Sequence, residues 1–204
     1  MPRPRTIPDA GVLAAASRVI GRVGPARLTL AAVGEACGLS ASTIVQRFGS
    51  KRGLLLALSA YGRDDVAAVF AAARAGAASP REAIADALCA LASSVTTREQ
   101  LANHLGFLQL DLVDPDLQRL AREHARAVER ELVALVQASA ADGELTAPDA
   151  SAAARALHGT YNGSLLTWAI DPRGPLPERL RADIAATLDA WAVPAPSDGR
   201  AGAS

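Results

Sequence analysis

Residues 30–58 read LAAVGEACGLSASTIVQRFGSKRGLLLAL, and this stretch decides the fold. Leu30, Val33 and Cys37 recur at helical spacing. Gly38 ends that pattern where a glycine turns at no steric cost. Leu39 then enters a core, and Ser40 is a good N-cap for a second helix. Ile44 and Phe48, four apart, give that helix its buried face, and Val33 and Ala36 are assigned to the same core. Its remaining face carries Ala41, Ser42, Thr43, Gln46 and Arg47, which are small, polar or basic. A short helix with a slim, hydrogen-bonding outer face, propped by the helix before it, fits a DNA major groove. The expected function is sequence-directed binding of duplex DNA.

Charge is distributed in the same sense. The chain is formally neutral, with 21 basic and 21 acidic residues. Residues 1–58 hold eight basic residues against Asp9 and Glu35, a net +6, so the remainder has 13 basic against 19 acidic, a net −6. Such asymmetry favours a nucleic-acid-binding module joined to a different body.

Half of the 204 residues are hydrophobic but only 3% are aromatic, so the core is mostly Ala, Leu and Val. Alanine and leucine favour helix, and β-branched runs of period two are absent, which predicts an all-α protein of about nine helices. Asp9 is expected to cap a first helix that stops at Gly24-Pro25. Ser50 caps a long connector from Lys51 to about Ala73, followed by helices over Arg81–Val95, Arg98–Leu112 and Leu117–Ala141. Thr146 is expected to cap a helix reaching Ile170, and a last helix runs from about Leu176 to Trp191. The organisation that follows is a flexible basic arm (1–8), a helix-turn-helix DNA-binding head (9–58), a helical effector-binding and dimerisation body (59–192) and a disordered tail (193–204).

Several function classes are disfavoured. No stretch approaches the ~18 uncharged apolar residues that span a bilayer, and MPRPRTIPDA lacks the apolar region of a signal peptide. A cytoplasmic protein with no membrane partner is expected. Cys37 and Cys89 lie inside helical patterns without metal-ligand spacing, and read as small buried residues of a reducing compartment. Nucleophile motifs, glycine-rich phosphate loops and metal-ligand clusters are absent, so neither an enzyme nor a metal or other cofactor is expected.

The head resembles the tetracycline-repressor (TetR) family of bacterial transcription regulators. Its pattern is met by Thr29, Val33-Gly34, Gly38-Leu39-Ser40, Ser42-Thr43-Ile44-Val45, Gln46-Arg47, Phe48 and Lys51. One position departs: Val45 stands where the family usually has a tyrosine that touches DNA. Valine donates no hydrogen bond, but it can contact a thymine methyl. The resemblance implies a homodimer formed through the last two helices, Thr146–Ile170 and Leu176–Trp191, and a ligand pocket in the body that controls the head.

Thr43, Arg47 and Lys51 are assigned to phosphates, and Ala41, Ser42, Val45 and Gln46 to base edges, with Gln46 suited to bidentate pairing with adenine. Thr29 is either a plain N-cap or a cap that also touches a phosphate. The operator should be pseudo-palindromic, with half-sites ~10 bp or more apart.

In the body, His104, Phe107 and Gln109 lie on one helix and Tyr161, Asn162, Thr167 and Trp168 on another. Together they are the candidate lining of a pocket for a small, mainly apolar effector, bounded by Arg98–Leu112 and Thr146–Ile170. Core or dimer-seam packing is the other reading of Trp168 and Tyr161. The main expectation is a repressor released by its ligand; the alternative is an architectural or protein-interaction DNA-binding module that needs no effector.

Overall fold

The computed structural model describes residues 7–146 and 149–194. The expected basic arm and tail lie almost wholly outside these residues. Within them the chain forms nine helices: α1 Asp9–Arg27, α2 Leu30–Cys37, α3 Ala41–Phe48, α4 Lys51–Gly76, α5 Pro80–Leu91, α6 Arg98–Val113, α7 Pro115–Ala141, α8 Ala150–Ile170 and α9 Leu176–Asp189.

Local chemistry sets most of the boundaries. Thr29, Ser40, Ser50 and Ser79 each accept a backbone N–H from the first turn of the helix they precede. Thr97 and Gln100 form a reciprocal capping box at α6. Asp114 ends α6 and caps α7, whose first residue is Pro115. Gly38 closes α2 at φ +70°, in the left-handed region. A Cβ on Gly34 would lie 2.6 Å from the Leu39 carbonyl oxygen, so the helix-turn-helix corner is tight enough to demand glycine there.

Three expectations are corrected, and the stop at Gly24-Pro25 takes a particular form. Pro8, not Asp9, precedes the first turn of α1, and the Asp9 carboxylate pairs with Arg47 instead. Gly24 (φ +77°, ψ 162°) breaks the helical backbone as expected, and Pro25 starts a further short turn that runs to Arg27. Asp149 caps α8 in place of Thr146, whose hydroxyl donates to the Trp191 carbonyl 3.1 Å away. Ala36 is exposed, and Gly34 takes the buried place on α2. Smaller shifts end α5 at Leu91 and α9 at Asp189, ahead of Val95 and Trp191.

Two apolar clusters share α4. Val12, Ala16, Val19, Ile20, Val33, Ile44, Leu54 and Leu55 belong to the first, and Leu117 at the start of α7 joins them. Val66 and Phe70, further along α4, belong to the second, with residues of α5, α6, α7, α8 and α9. Helix α6 also packs along α1: the Asn103 amide donates to the Gly21 carbonyl at 2.8 Å, and a Cβ on Gly106 would meet Pro25 at 3.5 Å.

Candidate DNA-binding surface and effector cavity

Helix α3 is eight residues long and buries Ile44 completely, with Phe48 half-buried beside it. That orientation leaves Ala41, Ser42, Val45 and Gln46 exposed on one face, with Val45 46% exposed. Thr43 stands at the edge of the face, its hydroxyl 2.8 Å from that of Ser40. The structure brings these five residues onto one small surface.

The three remaining candidates sit around it. Arg47 turns back to the start of α1, where it donates to the Ile7 carbonyl at 2.6 Å and pairs with Asp9 at 3.4 Å. Lys51, in the first turn of α4, donates to the Ala26 carbonyl at 2.8 Å. An ammonium has three N–H groups, so two remain for a phosphate. Thr29 accepts from the Ala32 N–H at 3.1 Å as the cap of α2. Arg52, beside Lys51, is held by the α6–α7 corner: it bonds both Asp114 oxygens at 2.9 Å and Asp116 at 2.6 Å. Its guanidinium holds the Asp114 carboxyl below the usual carboxylate range.

A cavity of about 470 Å³ lies between α1, α4, α6, α7 and α8. Of the seven candidate ligand residues, His104, Phe107 and Asn162 line it. Gln109 lines a different space, of about 640 Å³, between the Gly24 kink, Arg52 and α6. Tyr161, Thr167 and Trp168 line neither. Trp168 packs in the body core at 7% exposure, with its indole N–H donating to the Gly174 carbonyl at 3.0 Å. Tyr161 is packed against the same core, and burial pushes its phenol up to about 12. Thr167 is exposed, and its hydroxyl bonds back to the Gly163 carbonyl at 2.9 Å.

The sequence reading named His104 but missed His124, His158, Ser59 and Asp111. All three histidines of the chain line the cavity together with Ser59 and Asp111. Three side-chain oxygens among the described residues are buried without a partner, on Ser59, Asp111 and Ser139, and the first two lie in this lining. Burial pushes the Asp111 carboxyl up to about 6 and holds His104 and His124 below the ordinary imidazole value. His124 Nδ1 is 3.2 Å from the Gly62 carbonyl, so this nitrogen carries the proton and Nε2 is an acceptor. His104, Phe107 and Asp111 are spaced three and four apart on α6, a local signal for one shared face.

Comparison with known proteins agrees with this arrangement. Residues 12–58 match the family described as bacterial regulatory proteins, tetR family, and residues 80–192 match the C-terminal region of BetI-type transcriptional repressors. The chain belongs to the tetR family. It is 31% identical over 172 residues, 83% of each chain, to the HTH-type transcriptional regulator BetI 1 of Chromohalobacter salexigens. Among solved structures, a TetR transcription regulator from Haloarcula marismortui aligns with a TM-score of 0.73 at 17% identity, covering 89% of this chain and 96% of that one. A transcriptional regulator from Saccharomonospora viridis in complex with choline aligns with a TM-score of 0.68 at 20% identity, covering 87% and 93%. These likenesses show the shared all-α fold. The protein is accordingly a DNA-binding transcriptional regulator of the repressor type, and not an enzyme. Among the described residues no helix is long and apolar enough to cross a membrane.

Proposed function

We propose that the protein is a homodimeric repressor with a DNA-binding head over residues 9–58 and an effector and dimerisation body over 59–192. Each protomer lays α3 in one half of a pseudo-palindromic operator, and a small molecule in the body cavity releases it. Ala41, Ser42, Val45 and Gln46 read base edges, while Thr29, Thr43, Arg47 and Lys51 hold phosphates. In this reading Arg47 exchanges its Ile7 and Asp9 partners for a phosphate when DNA arrives.

The observation that carries ligand control is the position of the cavity. Its lining includes Ser17 and Ile20 of α1, a helix of the head cluster, as well as residues of the body helices. An occupant therefore touches both parts at once. Helix α6 supplies His104, Phe107 and Asp111 to the lining, and its end, Asp114, grips Arg52 at the start of α4. A ligand that prefers one placement of α6 biases the angle at which α4 presents α3, which is a population shift between two arrangements.

Dimerisation is supported by an unpartnered stripe. Helix α8 exposes Ala152, Ala156, Gly159, Gly163, Leu166 and Ile170 at helical spacing, with Ile170 79% exposed, and α9 exposes Ala182 and Ala186. No atom lies within 4 Å of a Cβ built on Gly159 or Gly163, so a partner helix can approach closely.

Selection of bound duplexes from random DNA tests the head: recovery of two inverted half-sites supports the reading, and recovery of asymmetric sites alone refutes it. Filling the cavity tests the body. A Cβ on Gly62 meets no atom within 4 Å, so Gly62→Leu projects into the space without displacing backbone. That variant should bind operator and lose ligand-induced release; release that persists unchanged removes the cavity from the mechanism.

A further inference from the structure

Two oxygens stand out in the polar lining of the cavity, which holds Ser17, Ser59, Asp111, Asn162 and three histidines. Asp111 is the one carboxylate in the lining and neither Arg nor Lys lines it; burial disfavours the charged form of His104 and His124, and His158 faces the Glu129 carboxylate at 3.6 Å. Asp111 Oδ1, an acceptor, and Ser59 Oγ, a hydroxyl that can accept as well as donate, are buried without a partner, and neutral His124 has Nε2 as its acceptor because Nδ1 is used on Gly62. Unpaired buried acceptors are costly, and a ligand gains by supplying what they lack. The carboxylate lacks a hydrogen-bond donor, and its charge adds a preference for a donor that is itself positively charged, an N–H of a cation. The rest of the wall is apolar, from Ile20, Leu58, Phe107, Leu108 and Leu120. Phe107 is the one benzenoid ring in the lining, so the several aromatic faces that hold a quaternary ammonium are missing.

We propose that the cavity recognises a protonated amine, an ammonium that carries at least one N–H on an apolar body, through Asp111 and Ser59. This rests on the cavity being the effector site, and it narrows the effector to a chemical class. A quaternary ammonium brings the charge but leaves the carboxylate and the hydroxyl without a donor from its nitrogen. A neutral alcohol or hydrocarbon brings the apolar body without the charge. A tertiary, secondary or primary ammonium satisfies both requirements.

A matched set of probes separates these cases. N,N-dimethylhexylamine and hexyltrimethylammonium differ by one N–H against one N–CH3, and 1-hexanol carries a similar chain without charge. Calorimetric titration of the full chain at pH 7.5, where the tertiary amine is protonated, should show it binding about 10–100-fold more tightly than the quaternary compound, as expected of one charge-assisted hydrogen bond. Asp111→Asn should erase that advantage, and Ser59→Ala should reduce it in a chain that keeps the carboxylate. Equal or tighter binding of the quaternary ammonium overturns the proposal, as does an advantage that survives Asp111→Asn. Hexanol binding as tightly as the amine, with Gly62→Leu abolishing both, overturns the charge requirement while the cavity stands as a ligand site. Failure of all three probes to bind overturns the proposal, and the effect of Gly62→Leu on release judges the cavity separately.

Discussion

Asp111→Asn is expected to make the unliganded protein more stable, and the gain should fade as the pH falls. The carboxyl sits half-buried with one oxygen unpartnered, and its proton is held up to about 6 against an ordinary 3.8. Between those values the folded state holds more protons than the unfolded one, so the contribution of Asp111 to stability falls as pH rises from about 4 to about 6. A shift of that size is worth about 3 kcal/mol for a fully sequestered group; solvent screening of a half-buried one leaves about 1–2 kcal/mol. Asparagine keeps the shape and removes the charge. For a chain of this length the gain is about 2–8 °C in melting temperature at pH 7.5. It should be roughly halved near pH 5 and absent near pH 4. His104 and His124 act in the opposite direction: burial lowers their values, so their contribution rises with pH up to about 6.5. The wild-type profile therefore mixes both, and the difference between variant and wild type isolates Asp111. Thermal unfolding at fixed protein concentration, followed from pH 4 to pH 8, is the assay. An Asn variant no more stable than wild type at pH 7.5, or a gap independent of pH, would refute the placement of an unpaired carboxylate in the cavity.

Further outcomes follow from the head and the body. Gln46→Ala should change base preference at one position per half-site, with ~1–3 kcal/mol at stake per well-formed contact, whereas Lys51→Ala should weaken all sequences alike and lower the salt slope by ~0.9 per lost phosphate contact; binding-site selection and salt titrations separate the two. Gly53→Ala places a Cβ 2.0 Å from the Phe48 carbonyl oxygen and should cost about 1–3 kcal/mol in unfolding experiments. Trp168→Ala should cost about 3–5 kcal/mol of stability while hexylamine-type probes still bind. Gly163→Arg should convert the dimer to monomer in sedimentation and abolish tight operator binding.

What was legible in the sequence was local. Thr29, Ser40 and Ser50 cap their helices as expected because the acceptor and the N–H it satisfies lie three residues apart. Thr146 has the same side-chain chemistry but is not the cap, because α8 begins at Ala150 and Asp149 stands next to it; the Thr146 hydroxyl donates to the Trp191 carbonyl, 45 residues away. Asp9 is itself the first residue of α1, with Pro8 before it, and its carboxylate pairs with Arg47, 38 residues away. Trp168 misled for a different reason. Its scarcity in this chain suggested a ligand surface, yet a buried indole needs just one acceptor, and the Gly174 carbonyl six residues on provides it. The cavity is assembled from five helices, so no window of sequence contains it. Its local trace was the spacing of His104, Phe107 and Asp111, in which an acidic residue interrupts a leucine stripe.

Binding strength at Asp111 and control of the head are separate quantities. A ligand that satisfies Asp111 equally well in both placements of α6 binds tightly and releases nothing, because only the difference in affinity between the two arrangements shifts their populations. Control therefore requires that the cavity change when α3 leaves the operator, and α6 is the element placed to do this. Asp111 contacts the cavity and Asp114, three residues later, holds Arg52 in the first turn of α4. Asn103 and Gly106 fix the same helix against α1 at Gly21 and Pro25. In the proposed mechanism a displacement of α6 by an occupant acts on the Arg52 clamp or the α1 contact, and Ile20, Ile44 and Leu54, which share one core, link α1 and α4 to α3. Arg52→Ala separates the two quantities. The pair is exposed, so stability should change little. Amine affinity in the absence of DNA should be retained, while the factor by which the amine weakens operator binding should shrink. An unchanged factor would show that the coupling runs through the α1 contact alone.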